Sequence, residues 1–202
     1  MADKLALNKS TLNRETKRLR AYRQFVPALD LKRKQLMAAR AQTRKQLVEQ
    51  QTKLESLQQL VKNELPMMAA ESIDLGSLVQ LKKVEITFSN LVGLQLPQVG
   101  IFDVEVQQYS KLATPIWFDI LVVTLQETLQ LQVESQVTER RLLLLETGLQ
   151  KTTQRLNLFD KVLIPQSEKN IRKIRIALSD AERAGVVRAK IAKGKRSRVA
   201  MR

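Results

Sequence analysis

Leucines recur every seven residues in the first third of the chain, in a stretch that contains no glycine. Leu5, Leu12 and Leu19 open the series, and Leu47 and Leu54 continue it. Polar residues fill the intervals, so the apolar stripe is narrow, which is typical of a coiled-coil seam rather than of a broad globular face. Pro27 interrupts the pattern, and we expect it either to kink this helix or to break it.

A second stripe begins after Pro115, a residue that suits the first turn of a helix. No glycine lies close to Pro165, which is therefore predicted to bend this second helix without necessarily ending it. Because a single long helix cannot bury such a stripe alone, the two segments are predicted to pair within the chain. The second stripe consists of Leu121, Leu125, Leu129, Leu142, Leu145, Leu149, Leu156, Phe159, Ile171, Ile174, Ile176 and Leu178.

The predicted fold is mainly α: a long antiparallel intramolecular coiled coil of N- and C-terminal helices, with a small central segment that contains a short β-hairpin. The predicted boundaries are residues 1–65 for the first helix and 66–114 for the central segment. Residues 115–192 form the second helix, and residues 193–202 a basic, disordered tail. A compact helical bundle would produce the same stripes and is the alternative.

The central segment carries a strand pattern. Residues 84–88 alternate apolar and polar side chains, and residues 99–106 contain further β-branched residues. Gly93 and Pro97 lie between these two stretches, and Gly100 lies near the start of the second. This pattern predicts two short strands joined by a longish loop. An apolar group near the tip is either an exposed docking patch or the interior of a small cap. Its members are Leu91, Val92, Leu94 and Leu96.

Positive charge is concentrated at both ends of the chain, whose formal net charge is +15. Residues 1–44 hold 12 Lys and Arg against 3 Asp and Glu, and residues 186–202 hold 7 against none. Residues 66–139 hold 3 against 9, so the middle is acidic. An antiparallel coil would bring the basic ends together, and that end would attract an acidic partner surface, an acidic socket or a polyanion.

The composition excludes much catalytic chemistry. The sequence has no Cys and no His, which excludes thiolate nucleophiles, imidazole bases and Cys/His zinc sites. It has no phosphate-binding glycine loop, and carboxylates such as Asp180 and Glu182 lie among Arg and Lys, where surface pairing explains them. We expect no enzyme active site, no cofactor and no metal. No apolar run approaches the roughly 20 residues that span a bilayer, and we expect a cytoplasmic protein.

Residues 154–178 read QRLNLFDKVLIPQSEKNIRKIRIAL. This stretch resembles part of the D subunits of V-type and archaeal-type rotary ATPases. The family pattern is Arg, an aliphatic residue and Asn, then an aliphatic run ending in Ile-Pro, then Glu, Ile and Ile-Arg. The opening helix is also similar to the family's, although residues 24–30 depart from it around Pro27. The matching positions include Arg155, Asn157, Ile164, Pro165, Glu168, Ile171 and Arg175.

The resemblance implies a mechanical, non-catalytic role in an ATP-driven ion-translocating complex. The family's D subunit is the shaft of the central stalk, and its paired termini insert into a ring of alternating A and B subunits. Its other end, with the small F subunit, meets a funnel-shaped subunit above the membrane rotor. The implied location is cytoplasmic and peripheral to the membrane, with no direct membrane insertion.

Two sets of residues are candidate contacts in that assembly. The apolar group at the hairpin tip is assigned to the small F subunit or to regulation. The basic end is predicted to face carboxylates of the A/B ring, through Lys9, Arg14, Lys17, Arg18, Arg20, Arg183, Arg188 and Lys190. The alternatives are a basic coiled-coil scaffold, which would self-associate through its seam, and a protein that binds nucleic acid by charge without sequence preference.

Overall fold

The computed structural model describes residues 5–64, 78–109, 114–115 and 117–200. Two long helical segments flank a two-stranded antiparallel hairpin, so the predicted mainly α class is confirmed. Parts of the predicted central segment, residues 66–77 and 110–113, lie outside the described residues. In chain order the elements are helix α1 (Lys9–Glu64), strands β1 (Val79–Leu91) and β2 (Leu94–Val106), helix α2 (Trp117–Leu158), a π-helical turn (Phe159–Leu163) and helix α3 (Ile164–Ala200).

Helix α1 begins where the sequence supplies a cap. The Asn8 side-chain Oδ1 accepts a hydrogen bond from the Thr11 backbone N–H at 2.7 Å, which satisfies one of the unpaired donors of the first turn. The helix then continues through Pro27 without a break. Pro27 is exposed, so the Arg23 carbonyl that loses its N–H partner lies on the solvent side of the helix, where water can replace the bond.

The chain divides into two compact units. Unit 1 comprises Met1–Leu31 and Thr152–Arg202, and unit 2 comprises Lys32–Lys151. In unit 1 the Tyr22 ring contacts the Phe159 ring, while Thr16, earlier in α1, borders a groove with Arg175, later in the chain. The start of α1 therefore lies antiparallel to the last part of the chain.

Unit 2 repeats this antiparallel pairing between the rest of α1 and helix α2. Arg40 forms an ion pair with Glu146 at 3.0 Å, and further along α1 the Gln50 amide donates to Glu134, earlier in α2. These contacts confirm that the two helical segments pair within one chain.

The hairpin packs on the helices of unit 2 at two places. Leu36 of α1, Leu96 of β2 and Leu145 of α2 form one core cluster, and each is at most 1% exposed. A second cluster at the hairpin base joins Leu78, just before β1, to Phe118 and Val122 of α2. An isolated hairpin is marginally stable in water, so these contacts explain how a two-stranded sheet persists here.

The strands are longer, and the loop shorter, than the sequence pattern predicts. Each strand has 13 residues, and Leu91 pairs directly with Leu94, so the longish loop was a wrong prediction. Pro97, which the sequence pattern places in the loop, lies inside β2, as does Gly100. A Cβ at Gly100 would stand 2.9 Å from the Thr87 Cγ2, so this glycine permits close strand approach rather than a loop.

The hairpin turn holds a valine in a backbone conformation that valine rarely adopts. Val92 has φ 52° and Gly93 has φ 80°, the signs of a type I′ turn, and the Asn90 side chain accepts the Gly93 N–H at 2.8 Å. We expect Val92→Asn to raise the free energy of unfolding by about 1 kcal/mol, because asparagine tolerates positive φ better than a β-branched residue. Urea denaturation measures the change. Gly93→Ala should lower the free energy of unfolding. If the two variants changed this free energy equally, the account of the turn would be contradicted.

Two helix-level expectations require correction. Helix α3 extends to Ala200 rather than ending at residue 192, and half of residues 193–200 are Lys or Arg, which are good helix formers. Ile176, which was assigned to the buried stripe, is 57% exposed. Ile174, which belongs to the same predicted stripe, is fully buried, so the stripe at this point is narrower than the sequence predicted.

Candidate partner-binding surface

All eight basic residues predicted to face a partner lie in unit 1, and all are exposed. Lys9, Arg14, Lys17, Arg18 and Arg20 are on α1, whereas Arg183, Arg188 and Lys190 are on α3. The structure therefore places basic residues from both ends of the sequence in one compact unit.

One carboxylate inside this basic surface is buried. The Glu15 side chain is only 6% exposed, and the Arg18 guanidinium contacts its Oε1 at 3.1 Å. A buried carboxylate without a cation would be costly, so Arg18 balances charge within the unit as well as facing solvent. Arg18 therefore has a structural role within unit 1 beside its predicted role toward a partner.

A groove in unit 1 brings together arginines that the charge pattern of the sequence did not single out. Arg23 of α1 and Arg172 and Arg175 of α3 line it, beside the half-buried Leu19. The Arg23 Nη2 contacts the Glu168 Oε1 at 2.7 Å, although the two residues are 145 positions apart. Spacing on α3 could have indicated the groove, because residues 168, 172 and 175 lie on one helical face.

The last part of α3 is open to solvent on every side. From residue 185 to residue 196 every side chain is exposed, and nothing lies within 4 Å of a Cβ built on Gly185. This stretch, the exposed end of α3, is roughly 18 Å of helix. It carries exposed apolar side chains, Val186, Val187 and Ile191, among its Lys and Arg. Isolated short helices are marginal in water, so a basic helix of this kind is suited to binding a partner.

The positions that match the rotary ATPase pattern surround the π-helical turn. Arg155 and Asn157 precede the turn and are exposed, and Ile164 and Pro165 follow it and are half-buried. Beyond them, Ile171 is 7% exposed and belongs to the core of unit 1. The pattern therefore combines structural positions with the surface residues Glu168 and Arg175.

The apolar group at the hairpin tip does not form an exposed patch. Leu96 is fully buried, Leu91 and Leu94 pack against the same cluster, and Val92 is half-buried in the turn. The tip is folded onto the helices, which covers these side chains. The exposed apolar side chains of the hairpin are instead Leu81, Ile86, Phe88 and Ile101.

At the base of the hairpin, a tyrosine ties the end of the sheet to the start of α2. The Tyr109 hydroxyl donates to the Asp119 Oδ1 at 2.5 Å, and its ring meets the Phe118 ring edge-on at 4.8 Å between centroids. The hydrogen bond to Asp119, followed by desolvation and the carboxylate's negative charge, raises the pKa of Tyr109 above its ordinary value of 10.0. The folded state therefore favours the protonated phenol.

This raised pKa predicts a loss of stability in alkaline solution. The contribution of the Tyr109 hydrogen bond is complete below about pH 10 and is lost as the pH rises through the higher folded-state pKa. Tyr109→Phe should therefore reduce the dependence of the urea midpoint on pH in that range. Tyr22→Phe, at the chain's other tyrosine, is the matched control and should keep the wild-type dependence. Identical pH profiles for wild type and Tyr109→Phe would contradict the prediction.

The described residues offer neither a metal site nor a membrane span. Across the residues that the structure describes, no cluster of three or more carboxylates is arranged to hold a metal ion. In the same residues, no helix has both the length and the apolarity needed to cross a bilayer.

The sequence is similar to proteins of one family. Residues 11–194, which include both long helical segments and the hairpin, match the family of ATP synthase D subunits. A V-type ATP synthase D subunit of Borreliella burgdorferi is 30% identical over 190 residues, which are 94% of each chain. The protein of that name from Chlamydia trachomatis is 30% identical over 203 residues, covering 96% of this chain and 97% of the relative. The one from Chlamydia felis is 38% identical over 116 residues, 57% of this chain and 56% of the relative.

Proposed function

We propose that this chain, which belongs to the family of ATP synthase D subunits, is the central-stalk rotor component of a V-type rotary ATPase. In this role it transmits rotation between the ring of A and B subunits, where ATP is hydrolysed or made, and the ion-translocating rotor in the membrane. The observation that carries the proposal is the exposed end of α3, residues 185–196, in the same unit as the basic start of α1.

The chemistry of the exposed end of α3 suits a shaft that turns inside a socket. Its large apolar side chains are Val186, Val187 and Ile191, and it has no aromatic residue that could anchor deeply in a pocket. Deep aromatic anchors dominate the binding energy of fixed interfaces, and a rotating contact must release at each step. Lys and Arg side chains are long and flexible, so they can exchange carboxylate partners as the shaft turns.

The role implies a set of partners and a location. We propose contacts with the catalytic A and B subunits through the basic end, and with the small F subunit and the funnel-shaped subunit elsewhere on the chain. The chain is then non-catalytic, cytoplasmic and peripheral to the membrane. The assignment of Leu91, Val92, Leu94 and Leu96 to the F subunit or to regulation stays a prediction. Because Leu96 is buried, polar substitutions there would act first through the packing of the hairpin.

Immunoprecipitation of the untagged chain from detergent-solubilised membranes of the source cells tests the proposal. A tag on either terminus would lie at the proposed contact, so an antibody against the native chain is preferable. We expect recovery of two nucleotide-binding subunits in threefold excess over this chain, with one small companion protein. Recovery of self-associated chain alone would favour a scaffold, and recovery of nucleic acid released by salt would favour a non-specific nucleic-acid binder. Either result would overturn the rotor assignment.

A further inference from the structure

The turn between α2 and α3 interrupts regular α-helical hydrogen bonding. The Ile164 N–H donates to the Phe159 carbonyl, five residues back, and the backbone is α-helical at Leu158 and Ile164 on either side. Pro165 follows at once, and it has no N–H and a ring that displaces the carbonyl four residues before it. The widened turn accommodates that proline. Such single π-turns are known sites of helix bending.

The facing helix is weakened at the same level. Pro27 removes the hydrogen bond that the Arg23 carbonyl would otherwise accept within α1. Next to this position, the Tyr22 and Phe25 rings lie 5.4 Å and 6.4 Å from the Phe159 ring, between centroids. Both paired helices therefore lack a regular backbone hydrogen bond beside one shared aromatic contact.

Side-chain packing varies along the helix pair around the π-helical turn. No residue of the π-helical turn is buried, and Phe25 is 56% exposed. Before the turn Thr152 is buried, and beyond it Ser167 and Ile174 are buried. Local opening is favoured where few apolar contacts hold a segment, so the π-helical turn is a weakly packed point between two well-packed parts of this helix pair.

We propose that residues 22–27 and 159–165 form a bending joint within unit 1. The two helices flex together at this level, and the rings of Tyr22, Phe25 and Phe159 keep contact while their tilts change. Aromatic contacts suit this motion, because rings at centroid distances of about 4.5–7 Å retain attraction over a range of tilts. The joint itself requires no partner. Its use, which rests on the proposed rotor function, is to take up bending load during rotation.

Spin labels on the isolated full-length chain test the joint directly, because the sequence has no native cysteine. Labels at Gln154→Cys and Lys173→Cys span the π-helical turn, and labels at Met37→Cys and Ser56→Cys span an equally long stretch of α1 without proline. Each pair is separated by roughly 28 Å of helix. We expect the distance distribution across the turn to be about twice as broad as the control. Pro165→Ala should narrow it, whereas Gln166→Ala should not.

Hydrogen exchange of the unmodified chain provides a second, independent measurement. Amides of residues 160–164 should exchange about tenfold faster than those of residues 171–176 in the same unit. Equal exchange rates in the two segments, or equally broad distance distributions for the two label pairs, would overturn the proposed joint. Neither comparison requires the Pro165→Ala variant to fold. Neither measurement needs the catalytic ring, so a failed joint and a failed rotor assignment are distinguishable.

Discussion

Leu145→Ala is expected to lower the free energy of unfolding by about 3–5 kcal/mol. Leu145 is fully buried and contacts Leu36 of α1 and Leu96 of β2, so one side chain joins three elements of unit 2. Truncation removes apolar contacts and leaves a cavity that helices and a strand cannot easily close. Urea denaturation followed by circular dichroism measures the loss. Hydrogen exchange in residues 94–98 should increase as well, because this cluster holds the hairpin on the helices.

Leu143→Ala is the matched control for this truncation. Leu143 lies two residues earlier in the same helix and is 51% exposed, so the change in helix propensity is the same while the packing differs. We expect a cost below about 1 kcal/mol. If the two variants lowered the free energy of unfolding equally, the described packing of the hairpin tip on α1 and α2 would be contradicted.

The leucine seam could be predicted from the sequence, but its polar layers could not. Leu121, Leu145, Ile171 and Ile174 belong to the predicted second stripe, and all are buried. Thr11, Glu15, Thr43, Thr152 and Ser167 are buried as well, although apolar periodicity gives no sign of them. Hydroxyl groups can be buried in a helix because they bond to the preceding turn, as the Thr124 hydroxyl does to the Leu121 carbonyl.

The strand boundaries were predicted poorly for a different reason. Proline and glycine usually interrupt strands, and the sequence pattern therefore places Pro97 in a loop and starts the second strand only at residue 99. A register shift between Val84 and Ile86 lets β2 contain Gly100, and the strand pair continues on both sides. Such shifts depend on contacts between the strands, which local sequence does not reveal.

The basic surface was predicted by composition, whereas its pairings were not. Exposure of the Lys and Arg residues follows from their charge, and antiparallel pairing places the two ends of the chain together. The contact between Arg23 and Glu168 depends on how the helices align after the π-helical turn. In the π-helical turn the backbone hydrogen bond joins residues five apart instead of four. This rotates all later side chains about the helix axis, so heptad spacing alone cannot predict which residues of α1 and α3 face each other.

The largest functional effect is expected from charge reversal on the exposed end of α3. A variant with Arg188→Glu, Lys190→Glu and Lys193→Glu should bind the catalytic ring at least about tenfold more weakly than wild type. Single reversals should do little, because each exposed ion pair is worth about 0–1 kcal/mol. Unit 1 should stay folded, since residues 185–196 are exposed throughout. Affinity for the isolated A/B ring, measured at two salt concentrations, checks the prediction.

The control for this variant reverses the same number of charges in unit 2, at the exposed Arg44, Lys45 and Lys53. It changes the net charge equally but leaves the proposed contact intact, so ring binding should stay close to wild type. A further variant, with Val186→Ser, Val187→Ser and Ile191→Ser, keeps all charges and removes the exposed large apolar side chains of this stretch. If this apolar variant abolished binding to the ring while the charge reversals did not, the socket would recognise the apolar side chains, and the electrostatic account would be wrong. If the α3 and unit 2 reversals weakened binding equally, net charge rather than the exposed end of α3 would determine insertion.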